Sequence, residues 1–217
     1  MLIQVAIFYY ITAPASHNLK ITRTMNNKIK NLTTEVLSNS WYTLKKVSYD
    51  FLKNNGSWQP QTREAYDRGN GAAILLYNKV QKTVILTRQF RLPTFINGNE
   101  SGMLIEVCAG LLDKDNPEDC VRREAEEETG YKVSHVKKVF ETYMSPGSVT
   151  EILYLFIAEY NSSMKINDGG GIEHEQEDIE VLEFPVIQAI SMIEAGEIKD
   201  AKTIMLLQYL QLQKILE

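Results

Sequence analysis

The segment "GAAILLYN", Gly71–Asn78, carries no charged residue. A run this short and apolar reads as a β-strand buried on both faces. Such a strand has to be covered on each side, which restricts the chain to layered architectures. The rest of the pattern supplies the layers. Strands are expected at "TREAYDRG", "QKTVILTRQFRLPT", "MLIEVCAG", "FETYMSP", "ILYLFIAEY" and "IEVLEFP". "PVIQAISMIEAGEI" and "DAKTIMLLQYLQLQKIL" have the periodicity of amphipathic helices. Trp41–Leu52 alternates imperfectly and is expected to be a further strand, before a turn at "KNNGS". Strands fill the middle and helices lie between and after them, so the expected fold is a mixed α/β layered domain.

With 217 residues, 44% hydrophobic and 24% charged, the chain suits one domain with a substantial core. A net charge of −5 argues against nucleic-acid binding through a broadly basic surface. Small anionic ligands stay open wherever a site is locally cationic or holds metal. Two cysteines and three scattered histidines form neither a disulfide framework nor a zinc motif, and a reducing, cytoplasmic setting is expected. No stretch reaches the roughly 18 to 20 apolar residues of a membrane span. Residues 1–24 begin apolar but lack the positive start of a secretory signal. They read as an extension outside the domain, or as a start set too early, with the domain at 25–217.

The chemistry concentrates in "NPEDCVRREAEEETGY", Asn116–Tyr131. Asn116 is a favoured N-cap, Pro117 suits the first helical position, and Gly130 is a natural stop. On the helix between them, Glu124, Glu127 and Glu128 fall within an arc of about 100°, while Glu126 points nearly the opposite way. A glutamate run taken alone is most simply a solvated face. Here the acids lie near the C-terminal end, where the helix dipole disfavours them. Arg123 beside them can anchor a carboxylate. Clustered hard oxygens at helical spacing are what Mg²⁺ or Mn²⁺ binds.

This segment resembles the Nudix box, G-x5-E-x7-R-E-U-x-E-E-x-G-U, where U is a bulky apolar residue. Gly110 opens it and "REAEEETGY" matches its second half. Two features depart from the pattern: the spacing from Gly110 to Arg123 is one residue short, and Asn116 stands where the first glutamate belongs. "YDRGNGAAILLYN", "RQFR", "NGNESG", "CAGLLD", "YMSPG" and "GEIKDAKT" are similar to the bacterial GDP-mannose pyrophosphatase group within that family. The resemblance runs from about Asn31 to the C-terminus. It implies an α/β/α sandwich with a mixed sheet and an N-terminal β-strand region. It also implies Mg²⁺-dependent hydrolysis of GDP-mannose to GMP and mannose 1-phosphate. A broader sugar-nucleotide or ADP-ribose pyrophosphatase, and a non-catalytic nucleotide-sugar sensor, are the alternatives.

The same resemblance assigns roles. Glu124 and Glu128 are implied metal ligands, with the Ala109 carbonyl and Glu177; Glu127 is a ligand or a neighbour that holds one. The base that activates water is Glu151 or an acid of the glycine-rich loop, Glu173, Glu175 or Glu177. That loop is expected to be mobile because of Gly169–Gly171. Arg91 is implied to contact phosphate. Arg63 and Glu64 would define the nucleotide or sugar pocket, and Lys202 is a further cation. Ala109, Gly110, Leu111, Glu128, Glu151, Gln176 and Glu177 would line the substrate. Trp41 would stack on the base, reaching over from the partner of a two-fold dimer, so that active sites are shared.

Overall fold

A computed structural model describes residues 27–112, 114–172 and 176–216. The expectation for residues 1–24 therefore lies outside the described residues, as do Glu173 and Glu175.

The first three strands, β1 (Ile29–Asn39), β2 (Thr43–Leu52) and β3 (Trp58–Asp67), form an antiparallel sheet of their own in the order β1-β2-β3. The alternation over Trp41–Leu52 thus marks β2, which begins two residues later than expected. β2 lies in the middle of this sheet, paired on both edges. β1 and β3 are the edges of the sheet, and β1 is a strand that the sequence pattern did not indicate. All its residues are exposed, so no buried face imposes an alternation on it.

The larger sheet contains β4 (Gly71–Asn78), β5 (Thr83–Phe90), β6 (Met103–Glu106), β7 (Cys108–Leu111), β8 (Lys137–Tyr143), β9 (Ile152–Glu159) and β10 (Glu180–Pro185). Its main path is β10-β5-β4-β9-β8; β6 pairs with β5, and β7 with β4. Only the β4–β9 pairing is parallel, so the sheet is mixed. A short helix, α1 (Leu92–Ile96), follows β5. α2 (Pro117–Thr129) covers one face, and α3 (Val186–Glu194) and α4 (Ala201–Leu212) cover the other.

All of β4 is buried, and its side chains divide between two cores. Ala73, Leu75 and Tyr77 pack with Leu206, Leu207 and Leu210 of α4. Ala72, Ile74 and Leu76 pack with Cys120, Val121 and Ala125 of α2. Each fully buried leucine or isoleucine contributes about 1.5–3 kcal/mol, so this one strand fastens both helical layers. The chain passes from β5 to β4 at Val107. There its N–H leaves the ladder and donates to Thr203 Oγ1 of α4 at 2.8 Å. That crossing aims β7, and the loop after it, at the start of α2.

Candidate active site

α2 is built as its sequence dictates. The Asn116 side chain accepts hydrogen bonds from the N–H groups of Glu118 and Asp119. Gly130 closes the helix in the left-handed region, at φ 79°. A Cβ there would lie 2.1 Å from the Asn167 carbonyl oxygen, so only glycine fits. Glu124 and Glu128 turn inward and are buried, Glu127 is half-buried, and Glu126 points away to pair with Lys132. Arg123 Nη1 contacts Glu124 and Glu127, each at 2.9 Å.

Gly110 allows Glu124 to come this close to β7. A Cβ at position 110 would lie 2.0 Å from Glu124 Oε1. The glycine-rich loop closes the other end of the stripe. Gly170 and Gly171 N–H groups donate to the carbonyls of Glu128 and Glu127 at 2.9 and 3.1 Å. The three glycines all have positive φ, and a Cβ on Gly169 would strike the Glu128 carbonyl at 2.5 Å. These contacts dock the described part of this loop on the last turn of α2. Glu177 is carried in with it, its Oε2 accepting from Ile172 N–H at 3.1 Å.

The electrostatics follow from this crowding. Glu128 is 1% exposed, and its Oε2 has no hydrogen-bond partner. Burial, followed by the repulsion of Glu124 and Glu177, pushes its pKa from 4.5 up to about 8. The Cys108 thiol is pushed well up by burial and by the charges of Glu128 and Glu124, to which it is adjacent. Both cysteines are buried thiols, and neither forms a disulfide among the described residues.

An uncompensated carboxylate oxygen facing two further carboxylates fits a hard divalent cation, which would supply the missing partner. Among the described residues, no three acidic, histidine or cysteine groups converge at coordination distance. Glu124 leans on Arg123, and Glu177 leans on its own loop amide.

The remaining residues fall into three places. Arg91 is half-buried and its Nε donates to Glu106 Oε2 at 2.6 Å; Lys202 Nζ donates to the other oxygen at 2.5 Å. Lys202 also pairs with Asp200 at 3.0 Å and is 9% exposed, so it joins α4 to the end of β6 rather than standing free for a ligand. Burial raises the Glu106 pKa, but Lys202 and Arg91 outweigh it and hold the carboxyl below its usual range. Arg63 and Glu64 stand on β3 and line a cleft of about 540 Å³ with Tyr143, Pro146, Gly147 and Ser148. Glu151 follows that loop and is half-buried beside Arg68. Trp41 stands in the β1–β2 turn, 77% exposed. Ala109 pairs with Ala73 and Leu111 with Gly71 across β4 and β7, and Gln176 is exposed with φ 59°.

Sequence reasoning missed Glu106, although its signal was present: it is the one charged residue in the apolar "MLIEVCAG". It also missed Arg68, which no local pattern distinguishes.

A Nudix domain model matches residues 67–207, and a model of the GDP-mannose pyrophosphatase NudK N-terminal domain matches residues 28–66. This chain belongs to the Nudix family. The family boundary coincides with the end of β3, where the small sheet hands over to the large one. A Yersinia enterocolitica protein named GDP-mannose pyrophosphatase is 56% identical over 193 residues, 89% of this chain and all of the relative. Proteins of the same name from Citrobacter koseri and Escherichia coli are 57% and 55% identical. These alignments cover 86% and 89% of this chain and 96% and 100% of those relatives. The α/β/α arrangement of this Nudix domain is the one that the resemblance implied, and it is a mixed α/β layered domain as the strand and helix pattern indicated.

Proposed function

We propose that this Nudix hydrolase cleaves the pyrophosphate bond of GDP-mannose, with Mg²⁺ or Mn²⁺, to give GMP and mannose 1-phosphate. The buried, unpartnered Glu128 oxygen facing Glu124 and Glu177 carries the metal-dependent part of this reading. The choice of GDP-mannose rests on the names of the relatives and on the match over residues 28–66.

Glu124, Glu128 and Glu177, with the Ala109 carbonyl, hold the cation. When bound, it neutralises pyrophosphate charge and makes water a stronger nucleophile. Glu127 is fixed by Arg123 and steadies the stripe. Arg91, oriented by Glu106, faces the phosphates. Glu151 takes a proton from the attacking water as its oxygen bonds to phosphorus and the bridging P–O bond breaks. Gly110, Leu111 and Gln176 line the bound substrate. Arg63 and Glu64 contribute the cleft beside the Pro146 loop for its nucleotide or sugar end. Lys202 acts through Glu106, keeping Arg91 in place.

The active form in this reading is a two-fold dimer. β1 is an open edge, and Leu32, Val36, Leu37, Trp41 and Trp58 are exposed on the small sheet. A second copy would cover this surface through an isologous interface. Trp41 then stacks on the base bound by the neighbour. Residues 25–217 make up the working domain, in the cytoplasm. Among the described residues, no helix is long and apolar enough to cross a membrane.

The substrate assignment is tested with Mg²⁺ and a panel of GDP-mannose, GDP-glucose, ADP-ribose and UDP-glucose. The highest kcat/KM should fall on GDP-mannose. A clear preference for ADP-ribose would replace this substrate with the adenine one and leave the metal site standing.

A further inference from the structure

The small sheet meets the Nudix domain along a short seam. Tyr66 N–H donates to the Ser148 carbonyl at 2.7 Å, and Thr150 N–H donates back to the Tyr66 carbonyl at 3.1 Å. Thr150 Oγ1 donates to Asp67 at 3.1 Å, and Lys45 Nζ lies 2.6 Å from the same carboxylate. Ile152 N–H donates to Asn70 Oδ1 at 2.9 Å. Residues leaving β3 therefore hold the backbone on both sides of Glu151.

The Glu151 side chain faces Arg68 from the same seam. Arg68 Nε lies 3.7 Å from Glu151 Oε1, close enough for an ion pair but too far for a hydrogen bond. That Nε is buried and has no hydrogen-bond partner, although the side chain as a whole is 40% exposed. A buried donor left unmade is unfavourable, and catalytic contacts that are long in the free protein tighten once substrate is bound. The guanidinium also stands over the Tyr42 ring, 5.4 Å from its centroid. Tyr42 in turn packs edge-on against Tyr66 and Trp41, with centroids 5.8 and 6.4 Å apart. Gly71 leaves the carboxylate its room, since a Cβ there would stand 3.3 Å from Glu151 Oε1.

We propose that Arg68 is the positioning residue for Glu151, braced by Tyr42, so that the small sheet sets the geometry of the proposed base. Arg68 touches no substrate. It closes the short gap to Glu151 and presents the carboxylate to the attacking water. The N-terminal sheet thereby has a second task besides forming the proposed dimer surface: its aromatic turn, Trp41–Tyr42, connects to the Glu151 of its own chain. This inference rests on reading Glu151 as the base.

The test measures kcat and KM for Mg²⁺-dependent GDP-mannose hydrolysis by the full chain, with melting temperatures recorded. The variants are Arg68→Ala, Arg68→Lys, Tyr42→Leu, Glu151→Gln and the double Arg68→Ala/Glu151→Gln. Arg68→Met, which keeps the stem packed on Tyr42, replaces Arg68→Ala if the latter unfolds. Misplacing a reacting group by about 1 Å costs up to about 100-fold in rate. Arg68→Ala should therefore lower kcat about 10- to 100-fold and leave KM within about threefold. Arg68→Lys should recover part of that loss, since it keeps the charge but not the planar fork. Tyr42→Leu should also lower kcat, by less. The double variant should be no slower than Glu151→Gln alone, because both changes disable one device. Suppose Glu151→Gln is impaired while Arg68→Ala keeps its kcat, or the two losses multiply. Arg68 then does not act through Glu151, and the proposal falls while the base assignment stands. Normal turnover by Glu151→Gln would remove the base assignment and the role of Arg68 together.

Discussion

Glu128→Gln should disable the enzyme and stabilise the metal-free protein, and the size of the second effect follows from burial. In the folded protein the Glu128 pKa is about 8, against 4.5 for the free side chain. A carboxyl whose folded pKa lies above its unfolded value folds best when protonated. No penalty exists below about pH 4.5; it grows as the pH rises towards 8 and is constant beyond. At about 1.36 kcal/mol per pH unit, the full penalty is about 5 kcal/mol, of which about 3 kcal/mol is present at pH 7. Glutamine keeps the shape and cannot ionise. In EDTA, the variant should therefore gain on the wild type by about 3 kcal/mol between pH 4.5 and pH 7. For a chain of this size that is roughly 6–12 °C in melting temperature. The assay is thermal unfolding of both proteins across this range, with and without Mg²⁺. Added Mg²⁺ should raise the melting temperature of the wild type and leave the variant almost unmoved. A difference in melting temperature that does not change with pH would refute the crowding argument.

Gly110→Ala places a Cβ against Glu124 Oε1, so the carboxylate must swing out. Mg²⁺ affinity should fall at least about tenfold by calorimetry, in line with losses on disturbing groups that orient a ligand; unchanged affinity would show that Glu124 does not hold the metal. Trp41→Ala subunits mixed with Glu128→Gln subunits should regain part of the activity that each parent lacks, because a mixed dimer holds one intact site. Recovery absent after verified exchange, or a monomer by sedimentation, would place Trp41 in service of its own chain. A chain beginning at Met25 should match the full one in kcat/KM and melting temperature; a large loss in either would assign residues 1–24 to the domain.

What the sequence disclosed, and what it did not, follows from how local each signal is. β4 was readable because a strand buried on both faces has no room for charged residues, and the structure covers it on both sides. The acidic stripe was readable because helical spacing alone puts Glu124 and Glu128 on one line. β1 was not readable, since a fully exposed strand carries no pattern; only its pairing with β2 defines it. Glycines at 169–171 looked like freedom in sequence, but in space all three have positive φ, and a Cβ on Gly169 would strike the Glu128 carbonyl at the end of α2. Lys202 and Glu106 are 96 positions apart, and no local rule pairs them across the fold. Arg68 and Glu151 are likewise joined only by tertiary structure.

The proposed place where the pyrophosphate bond of GDP-mannose is cut is at the carboxylates of α2. The most direct test incubates GDP-mannose with the wild type and with Glu128→Gln over a Mg²⁺ titration and identifies the products by mass. GMP and mannose 1-phosphate should form in equal amounts and only with the metal, at a rate about 10³-fold lower in the variant. Release of GDP and free mannose, or undiminished turnover by Glu128→Gln at saturating Mg²⁺, would contradict this proposal.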